Sequence, residues 1–145
     1  MFENNLKLCR EELEMTQKEL GKIFGITRKT ISGWENNNDI IPLPKLIEFC
    51  NLYNYSIDFV MGLTRNNSMI NKKIKVDPIK TGKSLKKLRK ELNLTQKDVA
   101  NECGISNTTY SNYELGINLI STMTLYTICK KYNISAYELL ANEKN

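Results

Sequence analysis

Two short runs of polar side chains, each placed just after a glycine, carry the clearest chemical pattern in the sequence. Arginine and lysine donate hydrogen bonds to guanine O6 and N7 or to phosphate, and asparagine matches adenine N6 and N7. Both runs therefore offer side chains suited to binding nucleic acid. They are Thr27-Arg28-Lys29 after Gly25 and Ser106-Asn107-Thr108 after Gly104.

Residues that support catalysis or metal binding are scarce. The sequence contains no histidine, which removes the commonest general base and the commonest metal ligand. The four cysteines never form a C-x-x-C pair, and free cysteine is among the most buried residue types. We predict reduced core thiols rather than a metal site or a disulfide framework. We also expect no enzymatic activity and no cofactor.

Length and composition favour a folded protein of one ordinary domain or two small ones. The chain has 145 residues, of which 41% are hydrophobic and 26% charged. No apolar run approaches the roughly 18 residues that a membrane helix needs, and the first 20 residues are too charged for a secretory signal. We expect a cytoplasmic protein that does not contact a membrane.

An internal repeat organises the chain. Shifting the sequence by 79 residues aligns two halves without a gap, and about a third of the aligned positions are identical. Thr16-Gln17-Lys18-Glu19 aligns with Thr95-Gln96-Lys97-Asp98, and Gly25-Ile26-Thr27 aligns with Gly104-Ile105-Ser106. The chain is therefore predicted to contain two copies of one module.

Within each copy the apolar spacing is typical of short helices. It predicts a first helix from about Asn4 to Leu13, with a counterpart from Ser84 to Leu92. Thr16 and Thr95 each stand three residues before an acid, which is the pattern of a capping box at the start of a second helix.

The two glycines indicate a turn between the second helix and a third. Gly25 and Gly104 can close a helix because glycine tolerates the left-handed conformation, and Thr27 and Ser106 can then cap the next one. A helix that projects after such a turn has the diameter of the DNA major groove. Residues at its start would face base edges, and donors at the start of the second helix would face phosphates.

Further helices complete each copy. Pro44 is expected at the first position of a fourth helix, Lys45 to Tyr53, and the second copy offers Ser121 or Thr122 as the cap. Short fifth helices are expected after Ser56 and Ser135.

Both copies resemble the Cro and phage-repressor type of helix-turn-helix family, also called the xenobiotic-response-element family. In the first copy the resemblance rests on Arg10, Thr16-Gln17, Leu20, Gly25-Ile26, Ile31-Ser32, Trp34-Glu35 and the closing segment from Tyr53 to Gly62. In the second it rests on Arg89, Thr95-Gln96, Gly104, Tyr110-Ser111, Tyr113-Glu114 and Gly116.

The resemblance implies an all-α fold of two tandem five-helix lambda-repressor-like domains joined by a basic linker. The expected boundaries are residues 1–62 for the first helix-turn-helix domain, 63–78 for the linker and 79–145 for the second domain. It also implies a regulator of transcription, most often a repressor, that binds specific sequences of double-stranded DNA.

The DNA-contacting residues are carried over by position. In the first copy they are Thr16, Gln17, Thr27, Arg28, Lys29, Ser32 and Gly33, and in the second Thr95, Gln96, Ser106, Asn107, Thr108, Ser111 and Asn112. Thr16 and Thr95 are expected to cap helices in any fold, and DNA contact would be a second role for them. Gly33 offers no side chain to read a base, so the specificity of the first copy is expected to depend on Arg28 and Lys29.

Positive charge is concentrated between Lys72 and Lys90. Residues 63–84 carry six basic residues and one acid, and such a block is either a solvated linker or a polyanion contact. Lys72, Lys73 and Lys75 are expected to lie near phosphates and to enter an A/T-rich minor groove.

The sequence is compatible with two roles for copy two and two modes of binding for the chain. Copy two has no charge between Ser106 and Tyr113, so it is either a DNA reader or a module that binds a protein partner or dimerises, as an antitoxin or scaffold would. The 22 residues between Gly62 and Leu85 have a coil span of roughly 26 Å. One chain could therefore act as a pseudo-dimer on DNA, and a homodimer is the other possibility.

The large apolar residues of the second and third helices are expected in the core rather than stacked on bases. They are Leu20, Ile31 and Trp34 in copy one and Val99, Tyr110 and Tyr113 in copy two.

Overall fold

The computed structural model describes residues 2–68 and 73–141, and within these ranges the chain forms ten α-helices and no strand. The chain divides into two compact units, Met1–Lys72 and Lys73–Asn145. Across the described part of the chain, none of the helices has the length and apolar character needed to cross a membrane.

Five of the described helices lie in each unit. In the first unit they are α1 Leu6–Glu12, α2 Gln17–Phe24, α3 Arg28–Glu35, α4 Leu43–Tyr53 and α5 Ile57–Val60. In the second they are α6 Pro78–Glu91, α7 Gln96–Cys103, α8 Asn107–Glu114, α9 Thr122–Tyr132 and α10 Ala136–Ala141. The predicted all-α fold with two tandem helix-turn-helix domains is confirmed.

Local capping explains where the helices begin and end. Thr16 and Thr95 each form both halves of a capping box, with Glu19 and Asp98. Ser121, rather than Thr122, caps α9. Ser56 caps α5, and Ser135 accepts a hydrogen bond from the Glu138 amide of α10.

Two predicted helix starts were wrong. The first helix of copy two begins at Pro78 instead of Ser84, because Asp77 caps it by accepting a bond from the Lys80 amide at 3.1 Å. The fourth helix begins at Leu43, two residues before Lys45. The first helix of copy one, predicted from about Asn4, begins at Leu6.

The early start of α6 also corrects the linker interpretation. Residues 78–84 are helical, so the coil span calculated for 22 residues does not apply. Lys73 to Asp77 group with the second unit, and Ile74 is buried. Much of the basic block from Lys72 to Lys90 is therefore helix surface rather than linker.

The predicted core residues are buried. The six apolar residues of the second and third helices are at most 9% exposed. All four cysteines are free thiols, of which Cys103 is half-buried and Cys9, Cys50 and Cys129 are buried. Three of them therefore occupy the core positions that were predicted.

A buried ion pair joins the first and third helices of each unit. In the first unit Arg10 Nε lies 2.6 Å from Glu35 Oε2, and the two side chains are 10% and 1% exposed. Arg10 Nη1 also donates to the Met15 carbonyl at 2.7 Å, and Gln17 Nε2 donates to Glu35 Oε1 at 3.0 Å. The Glu35 carboxylate thus links α3 to α1 and to the start of α2.

The second unit repeats this arrangement, which we name the Arg–Glu–Gln network in both units. Arg89 Nε lies 2.7 Å from Glu114 Oε2, Arg89 Nη1 donates to the Leu94 carbonyl at 2.9 Å, and Gln96 Nε2 donates to Glu114 Oε1 at 3.0 Å. The shared geometry fixes α8 against α6 and the start of α7.

The network lowers the pKa of Glu114. Burial of this carboxyl opposes ionisation, but hydrogen bonds from Arg89, Tyr110 and Gln96 outweigh burial and hold the pKa below its ordinary value of 4.5. A lowered pKa in the folded state adds stability above the unfolded pKa, and this stability is lost as pH falls through the lowered value. Acid should therefore weaken the second unit.

We expect Glu114→Gln to lower the free energy of unfolding of the second unit by about 3–5 kcal/mol at neutral pH, because Arg89 stays buried without its carboxylate. The stability of wild type is expected to fall below pH 4.5 as Glu114 becomes protonated, and that of the variant should fall less steeply. Urea unfolding followed by circular dichroism measures both effects.

The matched control for this test is Glu91→Gln. Glu91 Oε1 lies 4.0 Å from Lys87 and its side chain is 62% exposed, so the exposed pair contributes at most about 1 kcal/mol. Equal losses in the two variants would show that burial of the Glu114 pair is not the cause.

Candidate nucleic-acid interface

A tight turn sets the second and third helices of each unit at a fixed angle. Gly25 adopts the left-handed conformation with φ 68°, and the Ile26 amide donates to the Gly21 carbonyl at 2.8 Å. Gly104, with φ 65°, and the bond from Ile105 to Ala100 at 3.0 Å repeat this turn in the second unit. Glycine adopts such φ values at no steric cost, and the sequence predicted this role for both glycines.

The start of α3 is an exposed, positively charged surface. Thr27 Oγ1 accepts from the Thr30 amide at 3.2 Å, so its side chain is a helix cap. Arg28 and Lys29 are exposed, and neither forms an ion pair with any residue in the described ranges. Their charges are therefore available to an anionic partner.

The start of α8 has the same position in the second unit but carries no charge. Ser106 Oγ accepts from the Thr109 amide at 3.0 Å, and the exposed residues that follow are Asn107 and Thr108. These side chains can donate and accept hydrogen bonds but do not attract phosphate by charge. The two units therefore present different chemistry on the same turn.

The second turn of each third helix is less accessible than its first. Ser32 is half-buried and accepts from Asn36 Nδ2 at 3.2 Å. Ser111 and Asn112 are half-buried as well.

Gly33 is buried rather than exposed. A Cβ placed there would lie 3.5 Å from Asp39 Oδ2, and the Asp39 amide donates to the Gly33 carbonyl at 3.2 Å. The acidic side chain of Asp39 thus lies over Gly33. Of the α3 residues predicted to contact DNA, those at its first turn are the exposed ones.

The glutamines predicted to contact DNA are already engaged. Gln17 and Gln96 each use the side-chain nitrogen to bind the glutamate of the Arg–Glu–Gln network. Thr16 and Thr95 use their hydroxyls as caps. Backbone N–H groups in the first turn of a helix lack intrahelical partners, so donors remain at these helix starts.

The predicted linker lysines are placed as follows. Lys73 and Lys75 are exposed, whereas Lys72 lies outside the described residues. The prediction that they approach phosphates therefore remains a prediction.

The glutamate partners of Gln17 and Gln96 were not predicted. Arg10 and Glu35 were noted only for the family resemblance, although Arg89 and Glu114 repeat their 25-residue separation. This repeated pairing of opposite charges was the signal that could have identified the network.

The half-buried thiol near the second turn is not an activated nucleophile. Burial is the main cause that raises the pKa of Cys103 to about 11, with Glu102 adding to it, so the thiol is protonated at neutral pH. Within the described ranges, no group of three or more potential metal-binding side chains comes together. The chemistry that this surface does offer is hydrogen bonding and charge attraction.

Both units match known families of helix-turn-helix domains. Residues 6–60 match the family described as "Helix-turn-helix", and residues 82–144 match the one described as "Helix-turn-helix domain".

Three curated relatives are similar to part of the chain. The uncharacterized HTH-type transcriptional regulator YqaE of Bacillus subtilis is 30% identical over 81 residues, which are 54% of this chain and 70% of the relative. YobD of the same organism, also described as an uncharacterized HTH-type transcriptional regulator, is 31% identical over 64 residues, 44% of this chain and 57% of the relative.

The third relative is the antitoxin PezA of Streptococcus pneumoniae. It is 40% identical over 63 residues, which cover 43% of this chain and 40% of PezA. The chain thus spans about half the length of PezA and YobD.

Replacing two glycines inside helices of the first unit with alanine should change stability in opposite directions. A Cβ at Gly21 would lie 2.6 Å from the Ile26 carbonyl oxygen, whereas one at Gly33 would meet Asp39 Oδ2 at an ordinary 3.5 Å. Gly21→Ala should therefore lower the free energy of unfolding by about 1–3 kcal/mol. Gly33→Ala should raise it by up to about 1 kcal/mol, because alanine favours helix.

The fluorescence of Trp34, the only tryptophan, reports unfolding of the first unit in a urea titration. Shifts of the midpoint in the same direction for both alanine variants would contradict this account of the turn.

Proposed function

Because the chain belongs to the Cro and phage-repressor type of helix-turn-helix family, we propose that it binds specific sequences of double-stranded DNA and represses transcription. This role requires it to work in the cytoplasm beside the DNA, and it requires neither catalysis nor a cofactor. The observation that carries the proposal is the start of α3, at the end of a rigid turn. There Arg28 and Lys29 are exposed and form no ion pair with another described residue.

The first unit would read bases through these two side chains. Arginine and lysine donate to guanine O6 and N7 in the major groove. The backbone donors at the start of α2 would bind a phosphate across the groove, because helix N-termini carry partial positive charge. Gln17 would add its remaining amide hydrogen, since one already binds Glu35.

The second unit would read DNA by hydrogen bonds alone at its third helix. Asn107 is exposed at the position that aligns with Arg28, and asparagine pairs with adenine N6 and N7. The two half-sites should therefore differ, with guanine favoured by the first unit and adenine by the second.

A protein-interaction role for the second unit is the other candidate. Its support is the uncharged start of α8 together with Leu115 and Ile117, which are 66% and 65% exposed just after that helix. Similarity to a protein named an antitoxin agrees with it, although that match spans only 40% of the relative. In this case the first unit alone would bind DNA.

We expect Arg28→Ala and Lys29→Ala each to weaken binding to the preferred duplex by about 1–3 kcal/mol if the side chains read bases. Asn107→Ala is the matched substitution in the second unit, and it should weaken binding only if that unit also reads DNA. Fluorescence anisotropy with labelled duplex measures the three affinities.

Lys7→Ala is the control, since it removes an exposed lysine that lies outside the helix-turn-helix. If Arg28→Ala and Lys29→Ala bind the preferred duplex like wild type, the assignment of α3 as the recognition helix fails.

We further propose that one chain places both units on one duplex as a pseudo-dimer. Half-sites read from the same face of DNA lie about 34 Å apart, one helical turn. Because Arg28 and Lys29 align with Asn107 and Thr108, the protected site should be asymmetric and bound by a single chain.

Footprinting together with the mass of the complex tests this arrangement. A palindromic footprint held by two chains through their first units would replace the pseudo-dimer with a homodimer.

A further inference from the structure

The first helix of the second unit differs from its counterpart in length and charge. α6 has 14 residues and α1 has seven. Six of the residues of α6 are basic and one, Glu91, is acidic. The internal repeat therefore does not explain the length of α6 or its excess of basic residues.

Five lysines form one continuous face of α6, which we name the lysine stripe. At 100° per residue they fall within about 120° of the helix circumference. The buried residues Thr81, Gly82 and Leu85 lie on the opposite side, and all five lysines are exposed. The stripe consists of Lys80, Lys83, Lys86, Lys87 and Lys90.

Folding alone gives no reason for this stripe. Lys80 and Lys83 lie in the N-terminal half of α6, where the helix dipole disfavours positive charge. Lysines three and four residues apart also repel each other. Among the described residues the stripe makes one ion pair, from Lys87 to Glu91 at 4.0 Å, with both side chains largely exposed. The remaining charge is uncompensated.

The first unit repeats one lysine of the stripe, since Lys7 aligns with Lys86. The positions that align with Lys83, Lys87 and Lys90 are Asn4, Leu8 and Glu11. The excess of lysine is therefore specific to the unit whose third helix starts without charge.

The stripe is fixed rigidly to the helix-turn-helix of its own unit. A Cβ at Gly82 would lie 2.5 Å from the carbonyl oxygens of Tyr113 and Glu114, so α6 packs directly on the end of α8. At its other end α6 is tied to the start of α7 through Arg89, Glu114 and Gln96. A ligand of the stripe would thus be held in a fixed position relative to α8.

We propose that the lysine stripe binds the phosphate backbone of duplex DNA without regard to base sequence. The second unit then supplies affinity by charge, while the first unit supplies specificity through Arg28 and Lys29. This inference rests on the proposed DNA-binding function. It adds a second contact surface outside the helix-turn-helix of that unit.

The test compares two charge-matched double variants of the full chain on a random-sequence DNA duplex. Lys83→Gln/Lys90→Gln removes two charges from the stripe, and Lys7→Gln/Lys130→Gln, the control variant, removes two exposed helical charges outside it. Glutamine has nearly the helix propensity of lysine, so both variants should fold, which circular dichroism checks.

The readout is the slope of log affinity against log salt between about 50 and 200 mM. Each lost phosphate contact should reduce the slope by about 0.9. The slope should therefore fall by up to about 1.8 in the stripe variant and stay close to the wild-type value in the control variant. The ratio of affinities for preferred and random duplexes should stay at the wild-type value in the stripe variant.

Equal slopes in the two variants, or a lost preference in the stripe variant, would overturn the proposal. So would displacement of the duplex by single-stranded RNA, anionic vesicles or an acidic polypeptide at lower charge concentration than competing duplex. If no preferred duplex exists but the slope still falls in the stripe variant alone, the stripe stands and the proposed sequence specificity fails.

Discussion

A buried ion pair between the first and third helices is the interaction on which each unit depends. In both units a guanidinium on the first helix meets a glutamate at the end of the third at 2.6–2.7 Å, and a glutamine at the start of the second helix completes the contact. A buried charge without its partner is strongly destabilising, so the three helices keep one arrangement. The orientation of the exposed first turn of α3 and α8 follows from it.

The two units keep this framework and differ on the surface that it presents. Arg28 and Lys29 in the first unit align with Asn107 and Thr108 in the second, and Asn4, Leu8 and Glu11 align with lysines. Basic side chains thus lie at the start of the third helix in the first unit and along the first helix in the second unit. Since charge governs affinity and hydrogen-bond pattern governs specificity on DNA, the units are suited to different parts of one binding event.

Helix caps, turns and buried apolar positions could be predicted from the sequence, because each depends on neighbouring residues. Thr16, Thr95, Gly25 and Gly104 have their roles because caps and left-handed turns depend on a few neighbouring residues. Burial of the apolar positions also follows from helical spacing.

The remaining features depend on residues distant in sequence. Close packing of Gly82 depends on Glu114, 32 positions later, and burial of Gly33 depends on Asp39 from the following loop. The glutamines were predicted to contact DNA, and their bonds to Glu35 and Glu114, 18 residues away, were not visible from local pattern.

Sequence-specific DNA binding by the intact chain can be measured by selecting duplexes from a random pool and sequencing those that bind. We expect an asymmetric motif with guanine in one half and adenine in the other. A recovered pool indistinguishable from the input would show that the chain does not select a DNA sequence.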